Sequence, residues 1–280
     1  MNLHVVLWPI HDWPVMAETW KRAEELGFVG GWLYDHLAWR GHTPWDDAYA
    51  SLAAAATVTQ RIRLGTLVTT ANFRTPVPTA SAARTIDRIS AGRLTLGIGA
   101  GGDSPTSDGD VLDRDWTPRE RADRFEEWVT QLDALLTRAP ASMAGEHWSA
   151  RAVSIAPGLV QQPPPFWIAG NGPRGLRLAA RFGQGWIANP GEEAPYDDTR
   201  RRLDGLAEAC AAVGRDAATM PKLLLTGFTA EPWLASVDAF DDLAGRYGEL
   251  GITDIAIHWP RPGTEWDADP SVFEEIASRA

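Results

Sequence analysis

The chain has 280 residues and a formal net charge of −11, which sets its far field against nucleic acid and anionic membrane surfaces as partners. Its 44% hydrophobic and 22% charged content is that of a folded globular protein without long disordered stretches, and the length suits two ordinary domains or one large α/β barrel. Cys210 is the only cysteine, which excludes an internal disulfide and a thiolate metal cluster.

Residues 3–8, LHVVLW, are apolar and β-rich. Asp12 and Pro14 then open a helical repeat of Met16, Trp20, Ala23 and Leu26, which Gly27 stops. Residues 31–35 read as the second strand and 46–59 as its helix. Residues 61–69 form the third strand, with a helix over about 78–90 stopped by Gly92. Residues 93–101 form the fourth strand and run into a Gly- and Asp-rich loop. Thr117, Pro118 and Glu120 make a capping box with proline at the first helical position, and the helix they open extends to about residue 137. Residues 145–165 read as an inserted hairpin or loop. Strands at 166–170, 185–189, 222–228 and 252–259 follow, with helices through 206–213, around 234–247 and at the end of the chain.

Eight strands alternating with helices, at about 30 residues per unit, predict a single (β/α)8 TIM barrel over 1–280, with the hairpin or loop inserted before the fifth barrel strand. The competing fold is a doubly wound open sheet, which normally carries its glycine fingerprint on the first βα turn. Here Gly170, Gly172 and Gly175, spaced G-x-G-x-x-G, sit on the fifth. Pro173 suits a first helical turn and makes Asn171 or Gly172 the cap. The amides that follow and Arg174 favour an anion, so the turn is expected to hold one phosphate rather than a dinucleotide.

Asp35 and His36 close the second strand, where a barrel places its active-site mouth. A carboxylate beside an imidazole can exchange protons near neutral pH; the pair can equally be a loop cap beside a packed ring. Trp8, Trp39, His42 and Trp45 are candidates for a pocket wall or for packing. Leu67, Val68 and Thr70 end the third strand. Gly101 and Gly102, at the end of the fourth, would let a planar ring approach the backbone. The six histidines show no metal-binding spacing, although His4 and His258 fall on the first and last strands.

The segments AEELGFVGGWLYDHL, TQRIRLGTLVTTANFRTPVPTASAARTIDRISAGRLTLGIGAGG and PPPFWIAGNGPRGLRLAARFGQGW, in this order, resemble the luciferase-like monooxygenase family of flavin and deazaflavin barrels. The Asp-His pair is most similar to the branch that uses the deazaflavin coenzyme F420. The resemblance implies an F420-dependent oxidoreductase, with an FMN-dependent monooxygenase as the alternative. It places Asp35 on the coenzyme and His36 beside the hydride-transferring carbon. It further implies a non-prolyl cis peptide between Leu67 and Val68 behind the ring, a coenzyme contact from Thr70, and phosphate contacts from Asn171, Gly172 and Arg174. In sugar-phosphate dehydrogenases of this type the fourth-strand loop supplies a glutamate base. Gly102 stands there instead, with Asp103 a weak substitute, so that substrate is not expected. Gln184 replaces the acid of the family's D-G-W motif.

The expected partner is a small-molecule substrate, and the resemblance makes a homodimer the expected assembly. The chain start lacks a basic segment leading into a long apolar run, and no stretch reaches membrane-spanning length, so a cytoplasmic location is expected. A metal-dependent barrel hydrolase using His4 and His258, and a cofactor-free binding barrel, are the readings from other classes.

Overall fold

The computed structural model describes residues 1–42, 45–102, 108–114 and 116–279. In chain order the elements are β1 (Asn2–Leu7), α1 (Trp13–Glu25), β2 (Gly30–Leu33), α2 (Ala48–Val58), β3 (Arg63–Thr70), α3 (Pro76–Ile89), β4 (Leu94–Gly99), α4 (Asp108–Leu112) and α5 (Pro118–Thr137). There follow β5 (Ala141–Ala144), β6 (Ser149–Val153), β7 (Phe166–Ala169), α6 (Pro173–Phe182), β8 (Gly185–Ala188), α7 (Pro195–Ala212), β9 (Lys222–Leu225), α8 (Val237–Glu249), β10 (Asp254–His258) and α9 (Pro270–Ala277).

Eight of these strands close a parallel barrel in the order β1-β10-β9-β8-β7-β4-β3-β2. The expected (β/α)8 barrel is therefore the fold, and the glycine turn lies inside it after β7. The strands are buried on both faces, as parallel strands between a barrel interior and a helical layer must be. The interior is packed by alternate strand residues such as Val6, Trp32, Leu67, Ile187 and Leu223. Trp32 fits because its neighbour on β3 has no side chain: a Cβ on Gly65 would stand 2.3 Å from the indole.

The helices begin as their local sequences dictate. Pro14, Pro76, Pro118, Pro173, Pro195 and Pro270 each occupy a first turn, where the missing N–H costs nothing. The capping box is present: Thr117 Oγ1 accepts from the Glu120 amide at 3.2 Å, and the Glu120 carboxylate accepts from the Thr117 amide at 2.8 Å.

Two elements differ from the sequence expectation. The inserted antiparallel hairpin is β5 and β6, so it starts four residues earlier than 145–165 and ends well before Pro163, Pro164 and Pro165, which close the expected segment. Its turn is held from outside, by the Glu127 carboxylate of α5 accepting from the backbone of Glu146, His147 and Trp148. The short helix α4 falls where only a loop was expected.

The N-terminal face of the barrel serves stability. Glu24 accepts from the amides of Gln60, Arg61 and Ile62 just before β3. Burial alone would raise its pKa, but these three amides outweigh it and hold the carboxyl below its usual range. At the β1–β10 seam, Asp254 takes hydrogen bonds from His4 Nε2 at 2.8 Å and Asn2 at 3.0 Å, while Trp32 Nε1 donates to His4 Nδ1 at 3.1 Å.

Candidate active site

A cavity of about 1270 Å³ opens at the C-terminal ends of the barrel strands, the face on which barrels of this kind place their chemistry. It has two unlike halves. The contiguous strands β3, β4, β7 and β8 contribute small residues and backbone, among them Gly99, Gly101, Gly102, Ala169 and Gly172. The loops after β2, β9 and β10 contribute aromatic rings: Tyr34, Trp39, Phe228 and Trp266.

In the first half, the Leu67–Val68 peptide is cis, as the resemblance implied, and β3 shifts register against β4 between Thr66 and Thr69. Leu67, Val68 and Thr70 line the cavity. Gly101 has a φ of +76°, and a Cβ there would stand 2.5 Å from Asn72 Nδ2, so both backbone shape and space require glycine. Gly102 also lines the cavity, and a Cβ on it would have no heavy atom within 4 Å.

The glycine turn divides its roles. Gly170 and Gly175 face each other so closely that a Cβ on either would stand 2.6 Å from the other's backbone. They let α6 cross the end of β7. Gly172 has open space in front of it and caps α6 with no side-chain hydrogen bond to the first turn. Asn171 donates to the Asn189 carbonyl at 3.1 Å. Arg174 lines the cavity, but its guanidinium also bridges Asp123 at 2.6 Å and Glu126 at 2.7 Å on α5.

His36 lines the cavity, whereas Asp35 does not. The pleat separates them: successive residues leaving β2 point to opposite faces. Tyr34 and His36 face inward, and Asp35, fully buried, faces the helical layer. There it receives Arg74 Nη2 at 2.6 Å, Arg74 Nε at 3.1 Å and the Thr69 hydroxyl at 2.8 Å. Burial alone would lower the pKa of Arg74; its bonds to Asp35 and Asp47 outweigh burial and raise it. The guanidinium also lies over the Tyr49 ring at 4.8 Å.

Asp108 at the start of α4 is a site residue the sequence reading missed. Its carboxylate accepts from His36 Nδ1 at 2.7 Å and from the Leu37 amide at 2.7 Å, and it lines the cavity. With Nδ1 donating to this carboxylate, Nε2 is the nitrogen that the neutral ring leaves as an acceptor. Among the described residues Nε2 has no hydrogen-bond partner. The only local signal for Asp108 was an Asp-rich loop. Asp103, the weak substitute base, lies outside the described residues.

Of the three tryptophans proposed as a pocket wall, Trp39 lines the cavity, while Trp8 and Trp45 are buried in the cluster that includes it. His42 lies against Arg261. His4 is engaged at both ring nitrogens. His258 Nε2 and the Tyr34 hydroxyl share a hydrogen bond at 2.6 Å, and burial lowers the pKa of His258 to about 3. Among the described residues no three His, Cys, Asp or Glu side chains converge to hold a metal ion.

The sequence profile of the luciferase-like monooxygenases matches residues 9–230. The chain belongs to this family. One relative, the F420-dependent glucose-6-phosphate dehydrogenase of Amycolatopsis mediterranei, is 35% identical over 183 residues, 63% of this chain and 54% of that protein. The F420-dependent hydroxymycolic acid dehydrogenase of Mycobacterium tuberculosis is 31% identical over 253 residues, 86% of this chain and 64% of that protein. The chain thus spans less than two thirds of either relative's length. An F420-dependent secondary alcohol dehydrogenase, solved with an F420-acetone adduct, shares the luciferase-like barrel with a TM-score of 0.82 at 18% identity, over 100% of this chain and 99% of that one.

Proposed function

We propose that this luciferase-like chain is an F420-dependent oxidoreductase that transfers a hydride between the deazaflavin and a small organic substrate. The observation that carries the reading is the two-sided cavity. A small-residue half leads to an uncapped helix start, and an imidazole oriented by a buried carboxylate stands on the other half. The F420 dependence of its relatives supports the choice of coenzyme.

The residues present fit such a group. Gly102 and Gly172 line the cavity with nothing within 4 Å of where a Cβ would be. Leu67, Val68, Thr70, Gly101 and Gly102 would border the ring system. Asn171, Gly172 and the amides of α6 would meet the phosphate. Arg174 would join them, because five N–H donors are more than Asp123 and Glu126 require. Asp35 would act at one remove, by fixing Arg74 behind the loop that carries His36.

When bound, the deazaflavin supplies two-electron hydride chemistry. The protein supplies orientation and a proton site. His36 Nε2 takes or returns the proton on the substrate oxygen. Asp108 holds the ring in the tautomer that makes this possible.

Separate titrations with F420 and FMN, read by coenzyme fluorescence, test the proposal. Saturable F420 binding is expected; micromolar FMN affinity without F420 binding establishes the FMN-dependent monooxygenase reading instead. No described helix is long and apolar enough to cross a membrane. A cytoplasmic homodimer completes the proposal, and light scattering should give twice the chain mass.

A further inference from the structure

The geometry points to a substrate that is a neutral alcohol or carbonyl compound built on an aromatic or alicyclic ring, not a phosphorylated one. The inference rests on the coenzyme occupying the small-residue half, which leaves the aromatic half for the substrate.

Four rings form that half. Tyr34 and Trp39 stack at 5.3 Å and 25°, Trp39 and Trp266 lie 5.2 Å apart, and Phe228 meets Trp266 edge-on at 6.1 Å. The polar tip of Tyr34 is turned away from any ligand, since its hydroxyl is committed to His258 Nε2 at 2.6 Å. Burial raises the Tyr34 pKa well above its usual value and lowers that of His258, so both partners of this pair stay neutral. The lining here is aromatic carbon, with Phe228 the least buried of the four rings, and it rewards an apolar body by area.

A phosphate finds no place in this half. Among the described lining residues the cations are Arg40 and Arg174, and Arg174 lies at the coenzyme end. The Arg40 guanidinium lies over Trp39 at 5.1 Å, Phe228 at 5.5 Å and Trp266 at 5.9 Å, and pairs with Glu265 at 3.3 Å. Its charge is thus already shared with three ring faces and a carboxylate. Asp108 and Glu265, both on the lining, oppose a second anion. The single proton site, His36 Nε2, suits one substrate oxygen.

The test is calorimetric titration of the F420-loaded protein with 1-phenylethanol and, separately, with glucose 6-phosphate. Saturable binding of the alcohol and none of the sugar phosphate over the same range is expected. Phe228→Ala should weaken the alcohol about tenfold while leaving the F420 dissociation constant unchanged, which also reports that the variant is folded. Saturable binding of glucose 6-phosphate, or undiminished alcohol binding by Phe228→Ala, overturns the inference. If F420 itself fails to bind, the coenzyme reading falls, and alcohol titrations of the coenzyme-free native chain and of Phe228→Ala still decide whether the aromatic half is the substrate site.

Discussion

The Nδ1 nitrogen of His36 lies 2.7 Å from a carboxylate oxygen of Asp108, so the first turn of α4 orients a ring that follows β2. Asp108→Asn would present an amide N–H to that nitrogen in place of an acceptor and so favour the opposite tautomer, in which Nε2 carries the proton. Turnover with a saturating substrate should fall by about ten- to a hundredfold, against about a hundredfold or more for His36→Ala, with F420 affinity intact. The ¹⁵N shifts of the His36 ring should exchange between the two nitrogens. Unchanged shifts with lost turnover would assign Asp108 a role other than orientation.

Asp35→Ala tests the ion pair behind the site. It removes the principal counter-charge of Arg74, whose side chain is only 21% exposed and has Asp47 as its remaining acid. A destabilisation of roughly 3 kcal/mol is expected in urea unfolding. Equal stability of the variant would mean that Asp47 and water compensate.

The glycine turn should separate into two phenotypes. Gly175→Ala drives a methyl group into the backbone of Gly170 and should cost about 1–3 kcal/mol of stability. Gly172→Val meets open space at a φ of −98° that any residue adopts, so its melting temperature should hold while its F420 affinity falls. A drop in melting temperature for the second variant would contradict this division.

His258 should make the fold sensitive to acid. Its native pKa is lowered from 6.5 to about 3 by burial, so between those values the unfolded chain binds a proton that the native chain does not. Stability from this residue is fully present above pH 6.5 and declines as pH falls toward about 3, with a slope of about 1.4 kcal/mol per pH unit. Urea unfolding at pH 4.5, 5.5 and 6.5 (about one pH unit apart) should show a steeper dependence for the native chain than for His258→Gln. Parallel dependences would show that the ring is already charged in the native state.

The barrel was legible because its signals are local: apolar runs of strand length, prolines in first turns, and a capping box within four residues. The cradle was legible in part for the same reason, as Gly101, Gly172 and Val68 lie within short motifs. The acid partner of His36 was not, because it comes from 72 positions away through a helix of five residues. The burial of Asp35 away from the cavity lining was not legible, because its direction depends on the phase of the pleat beyond the end of β2. The hairpin was placed late because the prolines at 163–165 outweighed an anchor, Glu127, that belongs to a different element.

The seam between β1 and β10 joins residues 250 positions apart, as the His4 and Asp254 pair shows. Those two edges cannot meet until nearly the whole barrel has assembled, so ring closure is expected late in folding, when entropy is hardest to recover. In the interval each edge offers unpaired amides and carbonyls to neighbouring chains. Weakening the seam, as Asp254→Ala would, should therefore lower soluble yield at high expression more than it lowers the activity of the molecules that do fold.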